Sequence, residues 1–63
     1  MCLSNVYRSE LSDNNLMFKN IADLKLDGDT ITMTNILGIP TSVRGTVKKI
    51  DLLENYIIIE PAE

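Results

Sequence analysis

Apolar and polar residues alternate at period two through the middle of this chain, and that alternation restricts what it can fold into. Between residues 21 and 33, Leu24 and Leu26 alternate with charged neighbours, and Ala22 is in phase with them. This spacing is typical of a β-strand with one buried face. The residues Asp27-Gly28-Asp29 interrupt the pattern, and glycine readily supplies the positive φ that a tight turn requires. The segment therefore predicts a β-hairpin with Ala22, Leu24 and Leu26 on one face.

Short apolar segments separated by turn residues continue on both sides of the hairpin. We expect further strands at residues 2–8, 16–21, 41–51 and 56–60. In the strand from residue 41, Ile50 is out of phase with Val43 and Val47. A bulge at Lys48-Lys49 or a sharp bend at Gly45 would account for the change of phase. The sequence thus predicts an all-β fold, a small SH3-like or Sm-like barrel of five to six short antiparallel strands.

The chain is short, and its length limits how it can be stabilised. Its 63 residues make a single domain spanning 1–63, and a core this small is marginal on its own. A lone cysteine cannot form an intrachain disulfide. The remaining means of stabilisation are a second subunit and a bound metal.

The run Ile57-Ile58-Ile59 is apolar on both faces of the last predicted strand. A strand with one face in water would alternate instead. We therefore expect one face of this strand to meet a second subunit, with Ile58 in the dimer interface. The alternative is that Ile58 is covered by a loop of the same chain.

Charge and cysteine content disfavour several classes of partner. Six Lys and Arg against nine Asp and Glu give a net charge of −3, which disfavours binding to a phosphate backbone, so nucleic acid is an unlikely partner. No apolar run reaches the roughly 18 residues of a membrane span, and no export signal precedes the domain. A single unpaired thiol is typical of a reducing compartment, so we expect a cytoplasmic protein with no membrane partner.

Cys2 is the only thiolate donor in the sequence, which also has no histidine. If Met1 is removed, the free amine and thiolate of Cys2 form a bidentate pair. If Met1 is retained, its terminal amine joins the Cys2 amide and thiolate. Two copies of Cys2 meeting at a twofold axis, with sulfurs within about 4.5 Å, would complete a planar N2S2 site. Such donors favour Ni(II) or Cu(II), and copper is a chemical competitor for any nickel site of this kind, with one ion expected per homodimer.

The residues Met1-Cys2-Leu3-Ser4-Asn5-Val6-Tyr7, the turn at 27–29, and the segments 49–52 and 57–59 resemble those of the CooT family. That resemblance implies a small β-barrel homodimer associated with nickel delivery to carbon monoxide dehydrogenase. It also implies a partner in nickel-enzyme maturation, and it places the nickel ligand at Cys2. The chain departs from the family pattern at Leu37-Gly38-Ile39, where an acidic residue is expected after the glycine, and in its polar connection after Arg8. Both departures concern a surface for docking a partner more than the metal site.

Three other interpretations remain open at this stage. Cys2 could be a small apolar residue on the first strand, the usual role of an unpaired cysteine. The barrel could bind single-stranded RNA through a patch formed by Tyr7, Phe18, Lys48 and Lys49. It could also be a protein-interaction module without a metal. An enzyme is not expected, because no histidine is available to activate a nucleophile.

Overall fold

A computed structural model describes residues 3–62, so Met1, Cys2 and Glu63 lie outside the described residues. Five strands form a closed barrel, and a 3-10 turn at Asp13–Asn15 precedes the second strand. The strands are β1 (Ser4–Arg8), β2 (Leu16–Asp27), β3 (Thr30–Asn35), β4 (Pro40–Asp51) and β5 (Tyr56–Pro61). The prediction of a small all-β barrel is confirmed, and the number of strands is five.

The barrel closes through a parallel pair. Each strand is antiparallel to the next along the chain, but β1 and β5 run in the same direction, with Asn5 opposite Tyr56 and Arg8 opposite Ile59. In an up-and-down arrangement, strands alternate in direction, so the first and fifth must be parallel when they meet. The four other pairs are antiparallel, as predicted, and β1–β5 is the parallel pair that closes the barrel.

The two long strands, β2 and β4, each pair with two neighbouring strands. β2 pairs with β1 up to Ile21 and with β3 from there to Asp27, and the register shifts at Ala22. The bulge predicted near Lys48 is present in β4, where Val47 and Lys49 lie opposite successive residues of β5. The extra residue explains why Ile50 is out of phase with the earlier part of the strand.

The core lies inside the barrel and draws on four of its strands. Its buried cluster consists of Val6, Ile21, Ile31, Met33, Ile57 and Ile59. Leu24 packs against this cluster, as predicted. Ala22 and Leu26, which the alternation placed on the same face as Leu24, are exposed. Ala22 lies at the irregularity in β2, which breaks the alternation, and Leu26 lies near the end of β2, where its side chain lines a surface cleft.

Over the residues that the structure describes, no helix has the length and apolar character needed to cross a membrane.

Candidate functional site

Cys2 and Met1, the predicted metal ligands, lie outside the described residues, but the structure fixes the strand that follows them. Ser4 begins β1 and lies opposite Ile21 of β2. The Asn5 N–H donates to the Asn55 carbonyl at 3.1 Å, and the Asn5 side-chain oxygen accepts from the Asn20 N–H at 3.4 Å. The start of β1 is therefore held between β2 and the turn that precedes β5.

An apolar cleft of about 350 Å³ opens at the start of β1. Its lining residues come from β1, β2, β4, β5 and the turn after β4, and they are Ser4, Ile21, Ala22, Asp23, Leu24, Leu26, Ile50, Leu52 and Ile57. The large apolar side chains at its rim are strongly exposed, Leu52 most of all at 81%. Contiguous exposed apolar surface is typical of an interaction site. The sequence did not reveal this cleft, because its walls come together only when the barrel closes.

Two carboxylates of the described chain, Asp29 and Asp51, make contacts at turns. The Asp29 carboxylate pairs with the Arg44 guanidinium at 2.7 Å, and that hydrogen bond lowers the pKa of Asp29. The Asp51 carboxylate accepts from the N–H groups of Leu53 and Glu54 at 3.0 and 2.8 Å. Among residues 3–62, no three or more metal-ligating side chains of His, Cys, Asp or Glu come together.

The turn between β4 and β5 depends on the Asp51 carboxylate, and its replacement should show this. We expect Asp51→Ala to lower the thermal midpoint at pH 7, and Asp51→Asn to lower it less, because asparagine keeps an oxygen acceptor. Hydrogen bonding, first from the Glu54 N–H, lowers the pKa of Asp51 in the folded chain. The ionised Asp51 carboxylate therefore stabilises the fold fully above the ordinary aspartate pKa of about 3.9. This stabilisation is lost as the pH falls through the lowered pKa of the folded chain. Thermal melts at pH 7 and in acid check this, and equal midpoints for the two variants at pH 7 would contradict it.

Ile58 does not need a second subunit to cover it. It is outside the core cluster, between the inward-facing Ile57 and Ile59, yet it is only 8% exposed in the single chain. On the outer face it lies opposite Tyr7 of β1 and Lys49 of β4. The apolar triplet therefore no longer argues for a subunit interface, and a dimer contact at Ile58 stays a prediction.

Outside the core, Tyr7 and Tyr56 form an aromatic pair that the sequence did not predict. Their rings meet edge to face, 6.2 Å apart at 88°, and the Lys49 amine lies 5.5 Å from the Tyr56 ring centre. The strand pairing of Asn5 with Tyr56 is what brings the two rings together.

The four residues proposed for RNA binding do not form one stacking patch. Phe18 packs against the core, and Tyr7 contacts Tyr56. The Lys48 amine donates to the Ser9 carbonyl at 2.9 Å. Phe18 is thus separated from Tyr7, and binding of single-stranded RNA stays an untested alternative.

Comparison with known proteins defines the class to which this small closed barrel belongs. Residues 1–60 match the family described as CO dehydrogenase accessory protein CooT, so the chain belongs to the CooT family. The fold is similar to a crystal structure assigned to CooT from Carboxydothermus hydrogenoformans, with a TM-score of 0.81 at 17% identity over 98% of this chain and 100% of the other. A comparison with curated proteins found no match.

Proposed function

We propose that this protein is a homodimer that binds one Ni(II) through Cys2 of both subunits and delivers it to carbon monoxide dehydrogenase or buffers it for that enzyme. The observation that carries the proposal is the family match, which spans residues 1–60 and so includes the only cysteine in a chain without histidine. An accessory protein with a single thiolate donor is suited to handling a metal that its client enzyme requires.

The donor set fits the metal. Cys2 offers a thiolate with either its own amine or its amide and the Met1 terminal amine, and such nitrogen and sulfur donors suit square-planar Ni(II). One chain supplies too few donors for four positions, so a second copy of Cys2 completes the site. Copper binds the same donors more tightly, so the metal available in the cell decides which ion is carried.

The cleft beside Ser4 supports a dimer at this end of the barrel. Since consecutive Cα atoms are about 3.8 Å apart, the Cα of Cys2 is within about 7.6 Å of that of Ser4. Ser4 lines the cleft together with exposed leucines that a second copy would cover. A stable interface needs about 800 Å² from each partner, a modest share of the 4353 Å² that this chain exposes.

Nickel affinity should fall steeply in acid. Each Cys2 thiol must lose a proton to bind the metal, and the thiol of an ordinary cysteine has a pKa of about 8.5. Protonation of the two thiols alone lowers the apparent affinity by up to about 100-fold for each pH unit below that value, and protonation of the nitrogen donors makes the fall steeper. Competition with a chelator of known affinity between pH 6 and 8 measures the slope. A slope near zero would mean that no thiolate binds the metal.

Native mass spectrometry with added Ni(II) is the direct test of the proposal. The expected species is a dimer carrying one nickel ion, and its mass also shows whether Met1 is retained. Under the same conditions the apo protein should keep its free thiols, which a thiol-reactive probe counts. A monomer that takes up no nickel overturns the proposal.

A further inference from the structure

The turn between β4 and β5 places two exposed leucines at the edge of the cleft beside Ser4. Leu52 lines that cleft, and Leu53, the next residue, is 86% exposed. Among the described residues, eight large apolar side chains are exposed, whereas only seven apolar residues are buried in the core. A domain with so small a core is marginal alone, so covering this apolar surface with a second subunit would add stability that the single chain lacks.

Hydrogen bonds hold this turn in one conformation. The Asp51 carboxylate accepts from the N–H groups of Leu53 and Glu54, and the Asn55 carbonyl accepts from the N–H of Asn5 in β1. The two leucines are therefore presented on an ordered backbone that is tied to the first strand. Little ordering entropy remains to oppose a contact made by their side chains.

The same surface carries both a groove and a protruding side chain. Among the described residues that line the cleft, Leu24, Leu26 and Ile50 form apolar walls, and Asp23 is the one charged residue. Leu53 follows a lining residue in the chain but is not itself part of the wall. In an isologous dimer, one patch meets the same patch on the second copy, so a groove and the side chain that fills it occur together in each subunit. This surface therefore suits a second copy of the chain.

The proposed metal site requires the second copy to lie on this side of the barrel. The Cα of Cys2 is within about 7.6 Å of the Cα of Ser4. With about 3 Å from Cα to sulfur and a metal–sulfur bond of about 2.3 Å, the shared ion lies within about 13 Å of the Ser4 Cα. One ion bound by both copies lies on the twofold axis. The axis therefore passes close to the cleft that Ser4 lines, in a subunit whose longest extent is 30 Å.

We infer that the two subunits exchange their β4–β5 turns, so that Leu53 of each packs into the cleft of the other and brings the two chain starts to one twofold axis. The inference rests on the proposed nickel-binding dimer and names the surface that forms it. Since the contact buries apolar side chains and needs no metal, the protein should be a dimer before nickel is added. A different protein seated in the cleft would occupy the space beside the metal site that the second copy needs.

The first test measures the monomer–dimer equilibrium of the apo protein by analytical ultracentrifugation. We expect Leu53→Glu to weaken the dimer at least about 100-fold, because each of the two symmetry-related contacts would bury a carboxylate in an apolar cleft. Leu11→Glu is the matched control. Leu11 is also an exposed leucine, at 53%, but it follows the end of β1 that is away from Ser4 and does not line the cleft. This variant should stay within twofold of the wild type.

A cross-link tests the contact itself with variants that keep the apolar surface largely intact. In a Cys2→Ser background, which removes the natural thiol, Leu53→Cys protein is mixed with Leu26→Cys protein, because Leu26 is on the cleft wall. We expect oxidised glutathione to join the two into a disulfide-linked heterodimer, which peptide mass spectrometry identifies. Replacing the second protein by Leu11→Cys should leave little cross-linked product.

The outcomes separate this inference from the proposed function. A wild-type dimer that Leu53→Glu leaves intact, or that gives no link between positions 53 and 26, shows that another surface joins the copies and overturns the inference. If that dimer still carries one nickel ion, the proposed function stands. A dimer that Leu53→Glu dissociates, but that takes up no nickel, supports the inference and contradicts the function. A wild-type protein that is monomeric with and without nickel overturns both, and the cleft then belongs to another partner.

Discussion

Cys2→Ser is expected to abolish nickel binding while the barrel stays folded. A serine hydroxyl does not ionise near neutral pH and is a poor ligand for a soft-metal site, whereas the cysteine thiolate is a strong one. Because each dimer loses both sulfurs, we expect the affinity for Ni(II) to fall by more than about 100-fold, about 2.8 kcal/mol or more. Isothermal titration with Ni(II) and a thermal melt by circular dichroism give the two readings.

The matched control for this prediction is Ser4→Ala, two residues along the chain. Ser4 lines the cleft, but its hydroxyl has no place in the proposed donor set. We expect Ser4→Ala to bind nickel as the wild type does, and both variants to melt close to it. Unchanged nickel affinity in Cys2→Ser would contradict nickel binding through Cys2. It would favour a protein-interaction module, in which Cys2 plays no part.

Several features of the fold could be predicted from the alternation of apolar residues and from turn residues. The mismatch between Val47 and Ile50 predicted the bulge in β4, because an extra residue is the simplest way to return a strand to phase. The Asp27-Gly28-Asp29 turn predicted the β2–β3 hairpin, and Gly28 has the positive φ, +63°, that such a turn requires. Local pattern is informative here because both features depend on residues close together in the chain.

Features that depend on distant strands did not follow from the pattern. The burial of Ile58 depends on neighbours in β1 and β4, which strand closure brings to its face. The parallel β1–β5 pair follows from an odd number of strands, which the sequence left at five or six. Leu26 is in phase with the core residue Leu24, yet its side chain is exposed and lines the cleft. Alternation shows which residues share a face, but not how far along that face the core extends.

For the candidate site, the sequence predicted the metal ligand Cys2, and the structure revealed the cleft beside Ser4. The chemistry of Cys2 is independent of the fold, since the donors belong to the first two residues of the chain. The cleft at Ser4 depends on barrel closure, so it could not be predicted from periodicity.

Gly45 is the position where a single added methyl group should do most damage to the fold. It lies in the middle of β4 opposite Pro61 of β5, and its N–H donates to the Asp29 carbonyl at 2.8 Å. Its φ is +158°. A Cβ built here would overlap the Glu60 carbonyl oxygen and lie 2.9 Å from the Pro61 Cα. Both of those atoms belong to the backbone of β5, so no side-chain rotation relieves the clash.

Gly45→Ala is therefore expected to destabilise the barrel by about 3 kcal/mol or more, through overpacking together with an unfavourable φ. A domain of this size rarely has more than about 3–5 kcal/mol of stability from its core, so much of the variant should be unfolded at room temperature. Gly38→Ala is the control, because Gly38 also has a positive φ, +84°, but a Cβ there meets nothing within 4 Å. It should cost only about 1–2 kcal/mol. Urea titrations followed by circular dichroism compare the two variants, and equal stabilities would mean that β4 and β5 do not approach each other this closely in solution.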